Sequence, residues 1–218
     1  MVRTWFSCLL WSVTVGLQAT GSNENILIRQ AKESDYVAIT DIYAYYVCES
    51  ISTFELVPPS VEEISRRMES GKAQGLPCFV CETTAGAIVG YAYVRLHNTR
   101  AAYDCTVDLG IYLRHGEGET AWTGKGLGRR LLGELFTFLR AVQLPRSHES
   151  GRSGQRFLQV MALRSRFHEP DGEYESAPRG FYTSVGFRYV GTCTKVGYKF
   201  GRWADVDYYQ IGLDEVRD

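Results

Sequence analysis

A glycine-rich run at residues 124–129, Gly-Lys-Gly-Leu-Gly-Arg, most constrains how this chain folds. Before it, Tyr103–Leu113 alternates apolar and polar residues, which predicts a half-buried strand. After it, Leu and Phe recur at helical spacing as far as Leu139, and the next Pro is Pro145. The sequence therefore predicts a strand that leads through a tight turn into the N-terminus of an amphipathic helix.

The chemistry of that turn favours an anion. Glycine amides can crowd around an anion because no Cβ intervenes, and the dipole and free amides of a helix N-terminus favour a phosphate. Lys125 and Arg129 add positive charge at the rim. We interpret the run as a pyrophosphate cradle, although it lacks the endings typical of nucleotide-triphosphate and dinucleotide loops. The alternative is a merely flexible helix start.

Composition excludes several classes of protein. Hydrophobic residues make up 44% and charged residues 22% of 218 residues, as in a globular domain with a substantial core. A net charge of -1 gives no reason to expect nucleic acid or a membrane surface as a partner. The six cysteines are scattered, and Cys78 and Cys81 lie in a predicted strand, where residues three apart face opposite ways. We expect neither a redox pair nor a metal site.

The N-terminus has the pattern of a secretory signal. Arg3 precedes an apolar run from Trp5 to Leu17, and the small residues Ala19 and Gly21 follow. The alternative is an apolar extension ahead of a cytoplasmic domain, so localisation stays open between the two. We expect residues 1–22 to lie outside the fold and residues 23–218 to form one domain.

The remaining patterns predict the element order β-α-α-β-β-β-α-β-α-β-β, an α/β fold whose mixed sheet carries helices on both faces. Gln155–Leu163 is almost continuously apolar, which predicts a strand buried on both faces. Three polar inserts are predicted to be loops: Arg114–Ala121, Pro145–Gly154 and Arg164–Pro178.

Several stretches carry a family resemblance. The glycine run resembles the acyl-coenzyme A loop of the GNAT superfamily of N-acetyltransferases, with Thr123 where Gln or Arg is usual. The chain is also similar to the phosphinothricin N-acetyltransferase branch, and the resemblance spans nearly all of Ile26–Leu213. It rests on Ser52–Glu55, Gly90–Tyr93, Arg100–Asp108, Gly124–Leu132 and Val196–Val206.

The resemblance implies the acetyltransferase fold, with a central, mostly antiparallel sheet, and direct acetyl transfer from acetyl-CoA to a small amino-acid-like amine. The family's catalytic base, usually a Glu, matches Asp108, which is one methylene shorter. The resemblance places the general acid at Tyr182, where many members of the superfamily carry a Tyr and this branch commonly carries a His. A homodimer is also implied. The resemblance places cofactor contacts at Leu109, Ile111, Tyr112, Leu113, Thr123, Gly124, Lys125, Gly126, Leu127, Gly128, Arg129 and Tyr182.

For the acceptor amine, the resemblance points to Arg100, then Arg95, as the partner of a substrate carboxylate, and to Phe54 and Tyr103 as pocket walls. One alternative keeps the chemistry but changes the acceptor to a polyamine, an aminoglycoside or a protein N-terminus. Another is a non-catalytic acyl-CoA-binding module with the same fold.

Overall fold

The computed structural model describes residues 25–116, 118, 121–142, 157–169 and 180–214. Its seven strands are β1 (Leu27–Gln30), β2 (Cys78–Glu82), β3 (Ile88–Leu96), β4 (Thr106–Leu113), β5 (Gln159–Phe167), β6 (Arg188–Lys199) and β7 (Arg202–Gly212). They form one sheet in the order β1-β2-β3-β4-β5-β7-β6. Neighbours are antiparallel except β4 and β5, which run parallel.

The helices are α1 (Tyr36–Glu49), α2 (Val61–Ala73), α3 (Leu127–Ala141) and α4 (Phe181–Ser184), with short 3-10 helices at Glu33–Asp35 and Ala101–Tyr103. The order of α-helices and strands predicted from the sequence is confirmed. Ser60 begins α2 as its N-cap, because its side chain accepts a hydrogen bond from the Glu63 amide at 3.2 Å.

The helices cover both faces of the sheet, as predicted. Leu131, Leu135 and Leu139 of α3 are fully buried and pack in one cluster with Cys81 and Val107 of the sheet. On the opposite face α1 and α2 bury a second cluster that includes Ile39, Ile42, Ile64, Val80 and Tyr91. We call these the α3 face and the α1–α2 face.

The two cysteines of the CxxC lie on opposite faces, as expected from their spacing in a strand. Cys81 packs in the cluster of the α3 face, and Cys78 packs against that of the α1–α2 face. Both thiols are free. This spacing therefore reflects two separate core positions.

Two predictions about β5 are wrong. The strand is Gln159–Phe167, so the residues from Arg164 to Phe167 pair with β7 and do not form a loop. The strand is also not buried on both faces, since Val160 and Ala162 are fully buried but Leu163 is 37% exposed. The reason is that this face of the strand borders a cavity on the α1–α2 face, which Leu163 and Ser165 line.

Two predicted segments, residues 1–22 and Pro145–Gly154, lie outside the described residues. Among the helices that the structure does describe, none has the length and apolar content to cross a bilayer.

Candidate active site

The centre of the candidate site is a gap between β4 and β5. The two strands pair from Thr106 opposite Gln159 to Leu109 opposite Ala162. Beyond that point β4 continues to Leu113 beside β3, whereas β5 continues to Phe167 beside β7. The edge of β4 that faces the gap therefore has no strand partner in the described residues. Such an edge can bind an extended ligand through backbone hydrogen bonds, like an added strand.

Of the residues that the family resemblance assigned to the cofactor, Ile111, Tyr112 and Leu113 lie on this edge, and Leu109 is the last residue of β4 that pairs with β5. The Leu113 carbonyl accepts a hydrogen bond from the Tyr46 hydroxyl at 2.7 Å, which fixes the end of β4 to α1. The parallel pairing and its abrupt end both depend on long-range strand order. Local sequence patterns carried no signal for this gap.

The glycine run lies at the N-terminus of α3 and has the backbone of a tight turn. Gly124 and Gly126 both have φ of +77°, a conformation that costs an L-residue about 1–2 kcal/mol. Gly126 is the N-cap without a side-chain cap, and the Arg130 amide donates to its carbonyl at 3.2 Å. The amides just before Arg130 consequently have no helical partner, as at any helix start. Residues 123–126 are exposed, so this turn can receive an anion.

The two basic residues of the run differ in their contacts. The Lys125 ammonium lies 4.9 Å from the centroid of the Trp122 ring. Arg129 donates from Nη2 to the Ser184 carbonyl at 2.9 Å, which joins the turn to α4. Gly128 allows this approach, because a Cβ there would lie only 3.0 Å from the Phe181 ring.

Asp108 lies beside the gap, on the α1–α2 face. Val107 and Leu109 pack on the α3 face, so the intervening side chain points the other way. The side chain of Asp108 is 11% exposed, and both of its oxygens have partners. Oδ2 lies 3.3 Å from Nη2 of Arg95, the residue opposite in register, and Oδ1 lies 2.6 Å from Nδ1 of His97.

A cavity of about 760 Å³ opens over Asp108 on this face. Arg95 and Phe54 also line it, together with Leu109 and Gly110 on one side of the gap and Leu163 and Ser165 on the other. Phe54 packs directly on β6, because a Cβ at Gly197 would lie 2.4 Å from its ring. The cavity thus extends from the gap to the segment that contains Phe54.

The other two predicted acceptor residues lie outside the described lining of this cavity. Arg100 is exposed and precedes the 3-10 helix Ala101–Tyr103, and its amide is bonded to Asn98. Tyr103 is 42% exposed, with its ring centroid 5.6 Å from that of His97.

The opposite end of the cavity contains polar groups that sequence reasoning did not select. The Tyr43 hydroxyl donates to Oε1 of Glu55 at 2.9 Å and lies 2.8 Å from the Thr53 hydroxyl. Glu55 also forms an ion pair with Arg67 at 2.7 Å. Burial raises the pKa of Tyr43 to about 12, with the Glu55 hydrogen bond acting in the same direction, so its hydroxyl is protonated at neutral pH.

Tyr182 lies on the α3 face, across the sheet from the cavity. Its ring packs against Phe187 and Tyr209, with centroids 5.4 Å and 5.2 Å away. Burial raises the pKa of Tyr182 to about 12, and the neighbouring Tyr209 contributes. The phenol therefore keeps its proton at neutral pH, as a general acid must.

Comparisons with known proteins fit this arrangement. No protein-family model matches the chain. It is 31% identical over 187 residues to a phosphinothricin N-acetyltransferase of Alcaligenes faecalis, covering 86% of this chain and 82% of that protein. The chain belongs to the phosphinothricin N-acetyltransferase family. It is also 28% identical over 190 residues to an L-methionine sulfoximine/L-methionine sulfone acetyltransferase of Pseudomonas aeruginosa, covering 87% and 96%.

Solved structures of phosphinothricin N-acetyltransferase relatives share the fold. A GNAT superfamily phosphinothricin acetyltransferase from Sinorhizobium meliloti, crystallised with AcCoA, gives a TM-score of 0.66 at 28% identity, covering 86% of this chain and 88% of that one. A putative acetyltransferase from Salmonella typhimurium with acetyl-CoA gives a TM-score of 0.67 at 26% identity, covering 89% and 97%. The GNAT fold predicted from the sequence is confirmed.

Proposed function

We propose that the protein transfers the acetyl group of acetyl-CoA directly to the primary amine of a small amino-acid-like substrate, of the phosphinothricin or methionine sulfoximine type. The observation that carries this proposal is the gap between β4 and β5, with the glycine turn at the start of α3 and a carboxylate-containing cavity on the opposite face. The activities named for the relatives support the same reaction.

In this proposal acetyl-CoA binds from the α3 face. The amides of residues 124–129, with Lys125 and Arg129, receive its pyrophosphate, and β4 at residues 109–113, which is unpaired beyond Leu109, binds its extended arm. The thioester then reaches the cavity through the gap. Tyr182, protonated at neutral pH, supplies the proton to the departing thiolate.

The acceptor occupies the cavity on the α1–α2 face. Its ammonium lies beside Asp108, whose negative charge favours the loss of the proton that frees the amine to attack the thioester carbonyl. We assign the substrate carboxylate to Arg95, because this guanidinium lines the cavity 3.3 Å from Asp108. Phe54 packs against the body of the acceptor. Positioning two substrates on opposite sides of one gap is the main catalytic device.

The test is thiol release from acetyl-CoA by the purified protein with different amines: phosphinothricin, methionine sulfoximine, common amino acids, a polyamine, an aminoglycoside and a peptide N-terminus. We expect turnover with the amino-acid-like amines. Turnover confined to the other amines would keep the chemistry and discard the proposed acceptor site. Tight acetyl-CoA binding without any turnover would favour a non-catalytic acyl-CoA-binding module.

We also propose that the protein forms a homodimer through the hairpin of β6 and β7. This hairpin exposes Val196, Tyr198, Phe200 and Trp203, each with more than half of its surface accessible. Apolar surface of this kind is typical of a protein interface. Sedimentation equilibrium should give twice the monomer mass, and Trp203→Asp should shift the protein to monomer. A monomeric parent protein at micromolar concentration would contradict the proposal.

A further inference from the structure

His97, which the sequence analysis did not select, is bonded to Asp108. It directly follows β3, and its amide donates to the Thr106 carbonyl at 3.1 Å, so it lies diagonally across from Asp108. The imidazole Nδ1 lies 2.6 Å from Oδ1 of Asp108. An ionised carboxylate can only accept hydrogen bonds, so Nδ1 carries the proton in this pair. In a neutral ring Nε2 is then the free base.

The two side chains of the pair differ in their exposure to solvent. The side chain of Asp108 is 11% exposed, whereas that of His97 is 32% exposed. Nε2 of His97 has no hydrogen-bond partner in the described part of the chain. Among the described residues, Arg95 from β3 and the Tyr103 ring from the 3-10 helix lie against the pair. Tyr208 from β7 is also near, because burial raises its pKa and both Cys193 and the charge of Asp108 act in the same direction.

Asp108 alone is poorly placed as the proton acceptor. Both of its oxygens already have partners, Arg95 on one and His97 on the other. The basic nitrogen that remains open belongs to His97. Imidazole is also the side chain that enzymes most often use to move a proton in general acid–base catalysis.

We propose that His97 and Asp108 act as one base, in which Asp108 orients the imidazole through Nδ1–H and Nε2 receives the proton of the acceptor ammonium. The proton is relayed by water between the cavity and Nε2. One N–H bond of the ammonium breaks, its electron pair stays on the amine nitrogen, and a new N–H bond forms on Nε2. Asp108 balances the charge of the resulting imidazolium, which then loses the proton to solvent. This inference rests on the proposed function.

The first test needs no substrate. Imidazole nitrogen NMR of the resting protein at pH 8 should show His97 as the Nδ1–H tautomer, and Asp108→Asn should alter that signal. A resting Nε2–H tautomer would overturn the proposal, because the open nitrogen would then already carry a proton.

The second test is kinetic and uses His97→Asn, whose side-chain amide can keep the bond to Asp108 but cannot accept a proton. At pH 7 we expect kcat to fall at least ~100-fold, within the usual range for losing a general base. The difference in kcat between the variant and the parent protein should become smaller as the pH rises above the pKa of the acceptor amine, because an unprotonated amine needs no base. Asp108→Asn and the double variant should show similar losses, since residues that act as a unit are not additive.

His168→Asn is the matched control. His168 forms the same kind of pair, with Nδ1 2.9 Å from Oδ1 of Asp205. Neither imidazole lines the cavity itself, but Asp108, the partner of His97, does, whereas Asp205, the partner of His168, does not. The His168→Asn substitution should lower the free energy of unfolding and leave the shape of the pH–rate profile unchanged. If His97→Asn binds acetyl-CoA normally and has the parent pH–rate profile, the inference is wrong. Wild-type turnover reports separately on the proposed function, so the two failures are distinguishable.

Discussion

At the scale of single residues, much of the site depends on side chains or backbone conformations that only one residue type supplies. Gly126 combines a φ of +77° with the N-cap of α3. Lys199 is 2% exposed, and its ammonium donates to the carbonyls of Tyr46, Ser50 and Thr53. It therefore joins the end of α1 to the segment that carries Phe54.

Gly126→Val tests the phosphate cradle. The left-handed backbone makes a β-branched residue cost about 1–2 kcal/mol, and the new side chain stands where an anion must approach the amides. We expect acetyl-CoA binding, measured by calorimetry, to be lost in a protein that still folds. Gly133 lies in the same helix, and a Cβ added there would meet no atom within 4 Å. Gly133→Ala should therefore keep acetyl-CoA binding and raise the free energy of unfolding by about 0.5–1 kcal/mol. Normal binding by folded Gly126→Val would refute the cradle.

Lys199→Met tests the anchor of the Phe54 segment. Removing the ammonium leaves three carbonyls without their donor. Two of these carbonyls are at the C-terminal end of α1, where a positive charge also interacts favourably with the helix dipole. We expect the free energy of unfolding in urea to fall by about 1–3 kcal/mol and the acceptor KM to rise. The exposed Lys72→Met should change stability by less than about 0.5 kcal/mol. Equal effects of the two variants would contradict the anchoring role.

At the scale of elements, the site is produced by where strands pair and where they part. The parallel pairing of β4 and β5 ends at Leu109, and the two strands then follow different neighbours. β6 and β7 form a hairpin through Phe200 and Gly201, both with positive φ, which suits the twist of a two-residue turn. This hairpin brings Gly197 of β6 against Phe54, and the Phe54 ring is one wall of the cavity.

Gly197→Ala tests that wall. The new Cβ would lie 2.4 Å from the Phe54 ring, so the ring must move away from β6. We expect a higher acceptor KM with little change in acetyl-CoA affinity, because the cradle is on the other face. Gly191→Ala, on the same strand with no atom within 4 Å of its Cβ, serves as the control. A similar KM for both variants would show that Phe54 does not contact the acceptor.

At the scale of the whole molecule, buried carboxylates support the half of the sheet beyond the gap. Asp205 and Asp207 of β7 are fully buried, and Arg166 of β5 lies 3.1 Å and 3.4 Å from them. Burial by itself would raise the pKa of Asp205. The hydrogen bonds from the Lys195 amide and His168, with the charge of Arg166, outweigh that effect and lower it.

Acid should therefore destabilise the protein in a defined range of pH. Because the pKa of Asp205 is lower in the folded chain than in the unfolded chain, its contribution is present above the ordinary aspartate value of about 3.9. It is lost as the pH falls through the folded value. Urea unfolding at pH 7, 5, 4 and 3 should show stability falling mainly below about pH 4. Asp205→Asn should flatten this loss, and the same pH slope in parent and variant would contradict the assignment.

The sequence determined the element order, the two-faced packing of the sheet and the cradle turn, since periodicity and glycine spacing are local signals. It also placed Cys78 and Cys81 on opposite faces, because strand alternation is local too. Only the tertiary structure decided where β4 leaves β5, why β5 is open on one face, and that Arg95 rather than Arg100 lines the cavity. The pairing of His97 with Asp108 likewise depends on the register between two strands, which a single sequence does not encode at either position alone.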